Sequence, residues 1–259
     1  MSTLTHGAVL TRRVLQHWAR QPATPVFGLA FSIMLLLIFA LLFGGAMRVP
    51  GADGGYISFL LPGMLTLAMM FGVEATMSAI TLDSKRGITD RFRSMPISSG
   101  AVALGRSGAD MITSVVELAV LIVGGLLIGW RIESGPLGAL AAIGLLLWLR
   151  FALLWVGIFL GLTLRSEGAT MAVQVLVWPL GFASNVFVAP ETMPAWLGAI
   201  AQWNPISATA TATRELFGNP TGITTGWLAE AAIPLAIAWP AVLLAVFVPL
   251  SARAFRRLR

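Results

Sequence analysis

Glu74, Glu117 and Arg150 are ionisable residues set deep in long apolar runs of this 259-residue chain. A charge in the hydrocarbon core of a bilayer costs several kcal/mol unless it is paired or hydrated, so each needs a reason to be there. Three readings are open: a structural Glu-Arg pair holding helices together, the lining of a polar substrate path, or a span boundary lying elsewhere. Asp110 and Glu230 fall near the inner and outer ends of their runs, where water reaches them. Other chemistry is scarce. Without cysteine there is no disulfide, thiol nucleophile or thiolate metal site. The only histidines, His6 and His17, precede the first apolar run, so the runs hold neither a Ser-His nucleophile nor a His-ligated metal. The only lysine, Lys85, follows Ser84 where a Walker A loop requires Gly, so nucleotide hydrolysis by that route is excluded.

The elements that must position these residues are membrane spans. A mean hydropathy of +0.86 and a charged fraction of only 11% place the chain among polytopic membrane proteins. Crossing about 30 Å of hydrocarbon takes about 20 helical residues, and six runs reach that length: 25–47, 56–82, 109–130, 137–164, 169–188 and 227–250. No repeat relates the first three to the last three. Basic residues are retained on the cytoplasmic side. With both termini cytoplasmic, thirteen basic residues lie inside, only Arg48, Arg131 and Arg214 lie outside, and Arg150 stays within a span. Trp130, Trp196, Trp203 and Trp227 then fall near the outer interface, as an aromatic belt would. The net charge of +6 is thus topology charge, and without basic-aromatic interleaving it does not argue for nucleic acid as a partner.

Before the first run, Leu4, Leu15 and Trp18 share a helical face with Val14 beside them, and Arg13, His17 and Arg20 lie on another. The pattern predicts an amphipathic helix within residues 1–23, lying on the inner membrane surface. A loose twin-arginine match at residues 11–15 is followed by a run too long for a signal peptide. The external segment 189–226 carries two helix starts: Glu191 and Thr192 ahead of Pro194, and Asn204 as N-cap with Pro205 at the first helical position. Gly218 closes the second helix. The SATATAT run between them alternates like a strand, but the caps favour a helix. Neither helix reaches 20 residues, so the pair is expected to re-enter the membrane from outside without crossing it.

Within the spans, Gly125 with Gly129 and Gly157 with Gly161 match the small-xxx-small pattern of close helix approach. Pro62 with Gly63, and Pro234 with Pro240, are expected to bend spans two and six. Met64, Met69, Met70 and Met77 are expected to pack or to face lipid.

Polarity gathers in DSKRGITDRFRSMPISSG, residues 83–100. There Ile88, Phe92 and Met95 follow i, i+4, i+7 spacing on one helical face, and Arg86, Asp90 and Arg93 do so on another. Pro96 stops the helix after about two turns, too few to stand alone in water, so the segment must pack on the membrane surface, on the rest of the chain or on a partner.

Tyr56, Phe59, Leu60, Pro62 and Gly63 opening span two, then GITDRFRSMP at 87–96 and Gly105-Arg106, resemble the ABC type-2 transporter permease family, above all its actinobacterial daunorubicin-resistance-type membrane subunits. Asn204-Pro205-Ile206-Ser207 and Arg214-Glu215-Leu216-Phe217 resemble that family's late external segment, so the likeness runs along nearly the whole chain. The resemblance implies an all-α, six-span single transmembrane domain that pairs with itself or a related permease and with two separate ATPase subunits, which hold ATP and magnesium. It implies no cofactor, metal or catalytic residue in this chain. By the same resemblance Gly87, Ile88, Thr89, Asp90, Arg91, Phe92, Arg93, Ser94, Met95 and Pro96 form the coupling helix within a cytoplasmic segment 83–107. The N-terminal helix, with Arg13, Leu15, Trp18 and Arg20, becomes a connecting helix and second ATPase contact. The expected function is ATP-driven export of hydrophobic drugs, lipids or related metabolites, with polysaccharide or glycolipid export, or an intramembrane lipid-modifying enzyme, as the rivals.

Overall fold

Hydrocarbon offers no partner to a backbone N–H or C=O, so a chain this apolar must satisfy them within helices. In the computed structural model, residues 23–45, 55–85, 99–164, 166–223 and 226–257 are described, and no strand occurs among them. The helices are α1 (Ala23–Phe43), α2 (Tyr56–Lys85), α3 (Ser99–Leu127), α4 (Pro136–Leu164), α5 (Glu167–Phe182), α6 (Ala195–Trp203), α7 (Pro205–Phe217) and α8 (Trp227–Arg257), with a 3-10 turn at Pro190–Thr192. The N-terminal amphipathic segment up to residue 22 and the coupling run 87–96 lie outside the described residues.

Five helices, α1 to α4 and α8, are long and apolar enough to cross a membrane. The run expected as span five divides instead. Ser166 caps α5 by accepting from the Ala169 N–H, Pro179 stands in its last turn, and the helix stops at Phe182 after 16 residues, about 24 Å long. Residues 183–189 continue it as turns.

The bundle is built around α2, which packs on α1, α3, α4, α5 and α7 and is buried along most of its length. In a bilayer, lipid is as apolar as leucine, so helices adhere through close packing and polar contacts, not through escape from water. Gly157 and Gly161 supply that closeness. A side chain at Gly157 would come within 2.7 Å of the Val73 carbonyl, and one at Gly161 within 2.9 Å of Ile80, so both lay the α4 backbone on α2. Gly125 of α3 seats Leu61 of α2 in the same way. Met64, Met69, Met70 and Met77 are all buried, so α2 uses them as packing and not as a lipid face. In α8 the expected bend occurs at Ala231 (φ −118°, ψ 16°), just ahead of Pro234, whose ring and missing N–H spoil the preceding helical turn.

The cap signals are realised in α7. Asn204 Oδ1 accepts from the Ile206 N–H at 2.9 Å, Pro205 opens the helix, and Gly218 closes it in the left-handed region at φ +76°. Two conformational demands meet at Gly218, since a side chain there would also press on the Ser134 nitrogen at 2.9 Å. Phe217 O accepts from the Glu133 and Ser134 N–H groups at 2.9 and 3.1 Å, which ties the end of α7 to the turn joining α3 and α4. Trp130, expected in an exposed aromatic belt, is instead fully buried there: its Nε1 donates to Asn219 Oδ1 at 2.8 Å and its ring meets Phe217 edge-on. Trp196 and Trp203 do remain exposed.

Candidate functional site

A cavity of about 510 Å³ opens between α1, α2, α3 and α5. Phe31, Phe71 and Trp178 make its aromatic wall, with the Trp178 ring 4.9 Å from Phe71 and 6.0 Å, edge-on, from Phe31. Ser32, Glu74, Glu117 and Gln174 are its polar lining. Ser32 Oγ donates to Glu117 Oε1 at 3.0 Å, joining α1 to α3, and Glu74 shares a hydrogen bond with Gln174, joining α2 to α5. Two of the three intramembrane charges expected from sequence therefore share one space. Such a pocket, mostly apolar with a few fixed polar groups, has the build and size of a small-molecule site.

Arg150 does not line it. Its Nε donates to Ser114 Oγ at 2.9 Å and its Nη2 to Thr76 Oγ1 at 3.1 Å, while Asp110 Oδ2 stands 3.9 Å away. Thr76 Oγ1 donates in turn to Asp110 Oδ2 at 2.7 Å. The acid in ion-pair contact with Arg150 is thus Asp110, and Glu117 lies within electrostatic reach of the same guanidinium. Asp110 is also not in water: α3 begins ten residues before the expected boundary, and the carboxylate is enclosed by α2, α3 and α4 at 3% exposure. Gly72 makes this possible, because any side chain there would collide with the Arg150 guanidinium.

A second buried cation was counted by sequence among the outside charges, on the second short helix of the external segment. Arg214 on α7 has no exposed surface. Its Nε donates to Phe59 O at 2.8 Å, its Nη2 donates to Asn185 O at 2.9 Å and Val186 O at 3.0 Å, and its guanidinium lies 3.6 Å over the Phe59 ring. Nearby, Ser207 Oγ accepts from the Asn185 N–H, Thr211 Oγ1 accepts from Asn185 Nδ2, and Tyr56 Oη donates to Phe187 O. Residues 183–189 have no helix of their own to satisfy their backbone, and this clasp does it for them. The signal was present in the sequence: Ser207, Thr211 and Arg214 stand at i, i+4, i+7 on one face of a capped helix. Gly63 gives Arg214 room, since a side chain there would lie 2.8 Å from its Nη2.

The cavity and the buried clasps fall within residues 6–217, and the family model described as ABC-2 type transporter matches that stretch. The chain belongs to the ABC-2 type transporter family. It is 34% identical to the Daunorubicin resistance ABC transporter permease protein DrrB1 of Streptomyces coeruleorubidus, over 98% of this chain and 86% of that one. It is also similar to a probable doxorubicin resistance ABC transporter permease protein, DrrC, of Mycobacterium tuberculosis (25% identical; 88% of this chain, 86% of that one). A putative transport permease, ycf38, of Cyanophora paradoxa is 26% identical over 82% of this chain and 73% of its own length. As a member of the ABC-2 family the chain is a multi-pass membrane permease that works with an ATPase partner and is not itself the enzyme. The matched stretch ends at Phe217, the last residue of α7, so the clasp helix belongs to the family's extent and α8 lies beyond it.

Proposed function

We propose that this chain is the permease subunit of an ATP-driven exporter that moves hydrophobic drugs, lipids or related metabolites out of the cell. The observation that carries this reading is the 34% identity, along 98% of the chain, to a permease named for daunorubicin resistance. Two ATPase subunits, holding ATP and magnesium, pair with this permease and a second copy or a related chain. Gly87 to Pro96 form the coupling helix seated on the ATPase, and the N-terminal helix with Arg13, Leu15, Trp18 and Arg20 makes the other contact. The whole chain forms one transmembrane domain. Movement enters along α2, which ends at Lys85 immediately before the coupling run and carries Glu74 into the cavity.

Six crossings with both termini in the cytoplasm fit this scheme, and two hydrogen bonds support them. Tyr56, at the start of α2, donates to Phe187 O at 3.0 Å, and Glu133, after the end of α3, donates its N–H to Phe217 O at 2.9 Å. Both donors lie at the ends of α2 and α3 opposite the coupling run, whereas α5 starts next to the end of α4, on the coupling side. On this reading the chain changes sides between 165 and 187, with α5 and the 183–189 turns as the fifth crossing. On that assignment α6 and α7 re-enter from outside.

The test is co-purification with a candidate ATPase, then ATP hydrolysis measured with and without added drug. Drug-stimulated hydrolysis by the complex is the expected result, with none from the permease alone. Hydrolysis by the isolated chain, or a complex indifferent to every hydrophobic cargo, would overturn the reading.

A further inference from the structure

Helix α8 ends in a row of charge that continues its lipid-facing side. Val242, Ala245, Val246 and Pro249 are exposed along one face, and Arg253 and Arg256, both exposed, extend the same row at helical spacing. A different face does the packing: Ser251 Oγ donates to Trp155 O at 3.3 Å, and Ala254 and Phe255 lie against the Leu154, Ile158 and Leu162 cluster of α4. The two arginines therefore leave the bundle outward. Among the described residues neither has an ion-pair or hydrogen-bond partner. No Asp or Glu follows Glu230 in the sequence, whereas Arg257 and Arg259 add further positive charge.

Depth decides what this row meets. With the Trp203 and Trp227 rings, 4.7 Å apart, at one headgroup level as an aromatic belt, Arg253 and Arg256 stand roughly 39 and 44 Å further along α8 at 1.5 Å per residue. A bilayer with its headgroups is about 40–45 Å thick, so both guanidiniums reach the opposite headgroup layer and do not project beyond it. We infer that the C-terminal end of α8 is a binding site for an anionic glycerophospholipid. Its phosphate lies between Arg253 and Arg256, whose forked N–H donors match phosphate oxygens, and an acyl chain follows Val242, Val246 and Pro249. A choline lipid is disfavoured, because its ammonium would arrive beside the same arginines with no acid to receive it. An acidic face of a cytosolic protein is disfavoured by the depth, since it would need charges standing clear of the headgroups. The site stands apart from the cavity between α1, α2, α3 and α5, and it does not depend on what the chain exports.

Binding is measured by native mass spectrometry on the delipidated full-length permease, released from a nonionic maltoside micelle. The probes are dioleoylphosphatidylglycerol and dioleoylphosphatidylcholine, which differ only in headgroup. The first glycerol lipid is expected to bind more tightly than the first choline lipid, by about tenfold or more. A basic side chain at the membrane surface contributes about fivefold to anionic lipid affinity, so Arg253→Gln and Arg256→Gln should each remove about that factor, and the double variant the larger part of the preference. Arg131→Gln, beside the turn joining α3 and α4, should leave it unchanged. Equal affinity for the two lipids in the unmodified chain overturns the inference even if a variant fails to fold. So does full displacement of the glycerol lipid by inorganic phosphate, which would mark a plain anion site. An undiminished lipid preference in a folded Arg253→Gln/Arg256→Gln variant also overturns it, and loss of the ATPase subunit from that same variant on co-purification would reassign the row to a protein contact.

Discussion

Among the described residues two arginines are buried, by two different means. Arg150 is answered by an acid and two hydroxyls, Arg214 by backbone carbonyls and an aromatic ring. Breaking a buried pair by removing one partner leaves the other charge uncompensated, at about 3–5 kcal/mol, whereas removing both is far milder. Arg150→Met should accordingly lower the thermal unfolding midpoint in detergent strongly, and Arg150→Met/Asp110→Asn should restore a large part of it. Additive losses in the double variant would refute the pairing. Arg214→Lys is not conservative either, because a single ammonium cannot span Phe59, Asn185 and Val186 while covering a ring. It should destabilise the protein by roughly 1–3 kcal/mol, the range for stranded buried carbonyls, and expose the 183–189 turns to protease; unchanged cleavage kinetics would argue against the clasp. That charges had to be buried was legible from Arg150 standing in an apolar run. Its partner was not, because Asp110 and Glu117 stand seven residues apart on one face of α3, and which of them lies level with Arg150 depends on the axial position of α3 against α4, which an uncertain α3 start does not fix. Arg214 was counted only as an outside charge for a similar reason: its first acceptor, Phe59, lies 155 residues away in sequence.

Element boundaries with local chemistry were the most readable part of the sequence. Asn204, Pro205 and Gly218 specify α7 through contacts within a few residues, and they appear as expected. The short α5 was less readable, since a continuous apolar run conceals that its last residues satisfy their backbone through α7 and not through their own helix. Among the elements, α2 has the strongest mechanical position: it touches α1, α3, α4, α5 and α7, lines the cavity, and leads directly into the charged run. A rigid, densely packed helix transmits displacement along its axis if its end is gripped. Phe92→Ala removes the apolar anchor of the proposed coupling helix, and Asp90→Lys removes the acid flanked by Arg86 and Arg93. Each should leave membrane insertion intact while cutting drug-stimulated ATP hydrolysis of the reconstituted complex by about tenfold, near 1.4 kcal/mol of lost coupling. Full stimulation in both variants would remove the run 87–96 from the coupling path.

At the scale of the whole molecule, the open matter is how many times the chain crosses, and the native sequence makes it unusually easy to decide. Among the described residues five helices satisfy the length needed for a span, and an odd number of crossings would put the termini on opposite faces. The basic residues argue otherwise, since thirteen fall on one face only if α5 also crosses. On the proposed six-crossing topology its 16 residues cover about 24 Å, and the 183–187 turns, paired with Tyr56 and Arg214, complete the passage without exposing backbone to lipid. The chain has no cysteine, so single substitutions report position without background. In intact cells a membrane-impermeant maleimide should label Asp53→Cys and Thr221→Cys, and should reach Ser98→Cys and Arg259→Cys only after lysis. Were α5 to turn back without crossing, the last two elements would invert together: Thr221→Cys would be protected and Arg259→Cys labelled from outside. Because Phe217 is hydrogen-bonded to Glu133 and Ser134, that inversion would also have to carry the α3–α4 turn with it, contrary to the passage of α3. The labelling pattern at 221 and 259 thus tests the short fifth crossing and the clasp that completes it in one measurement.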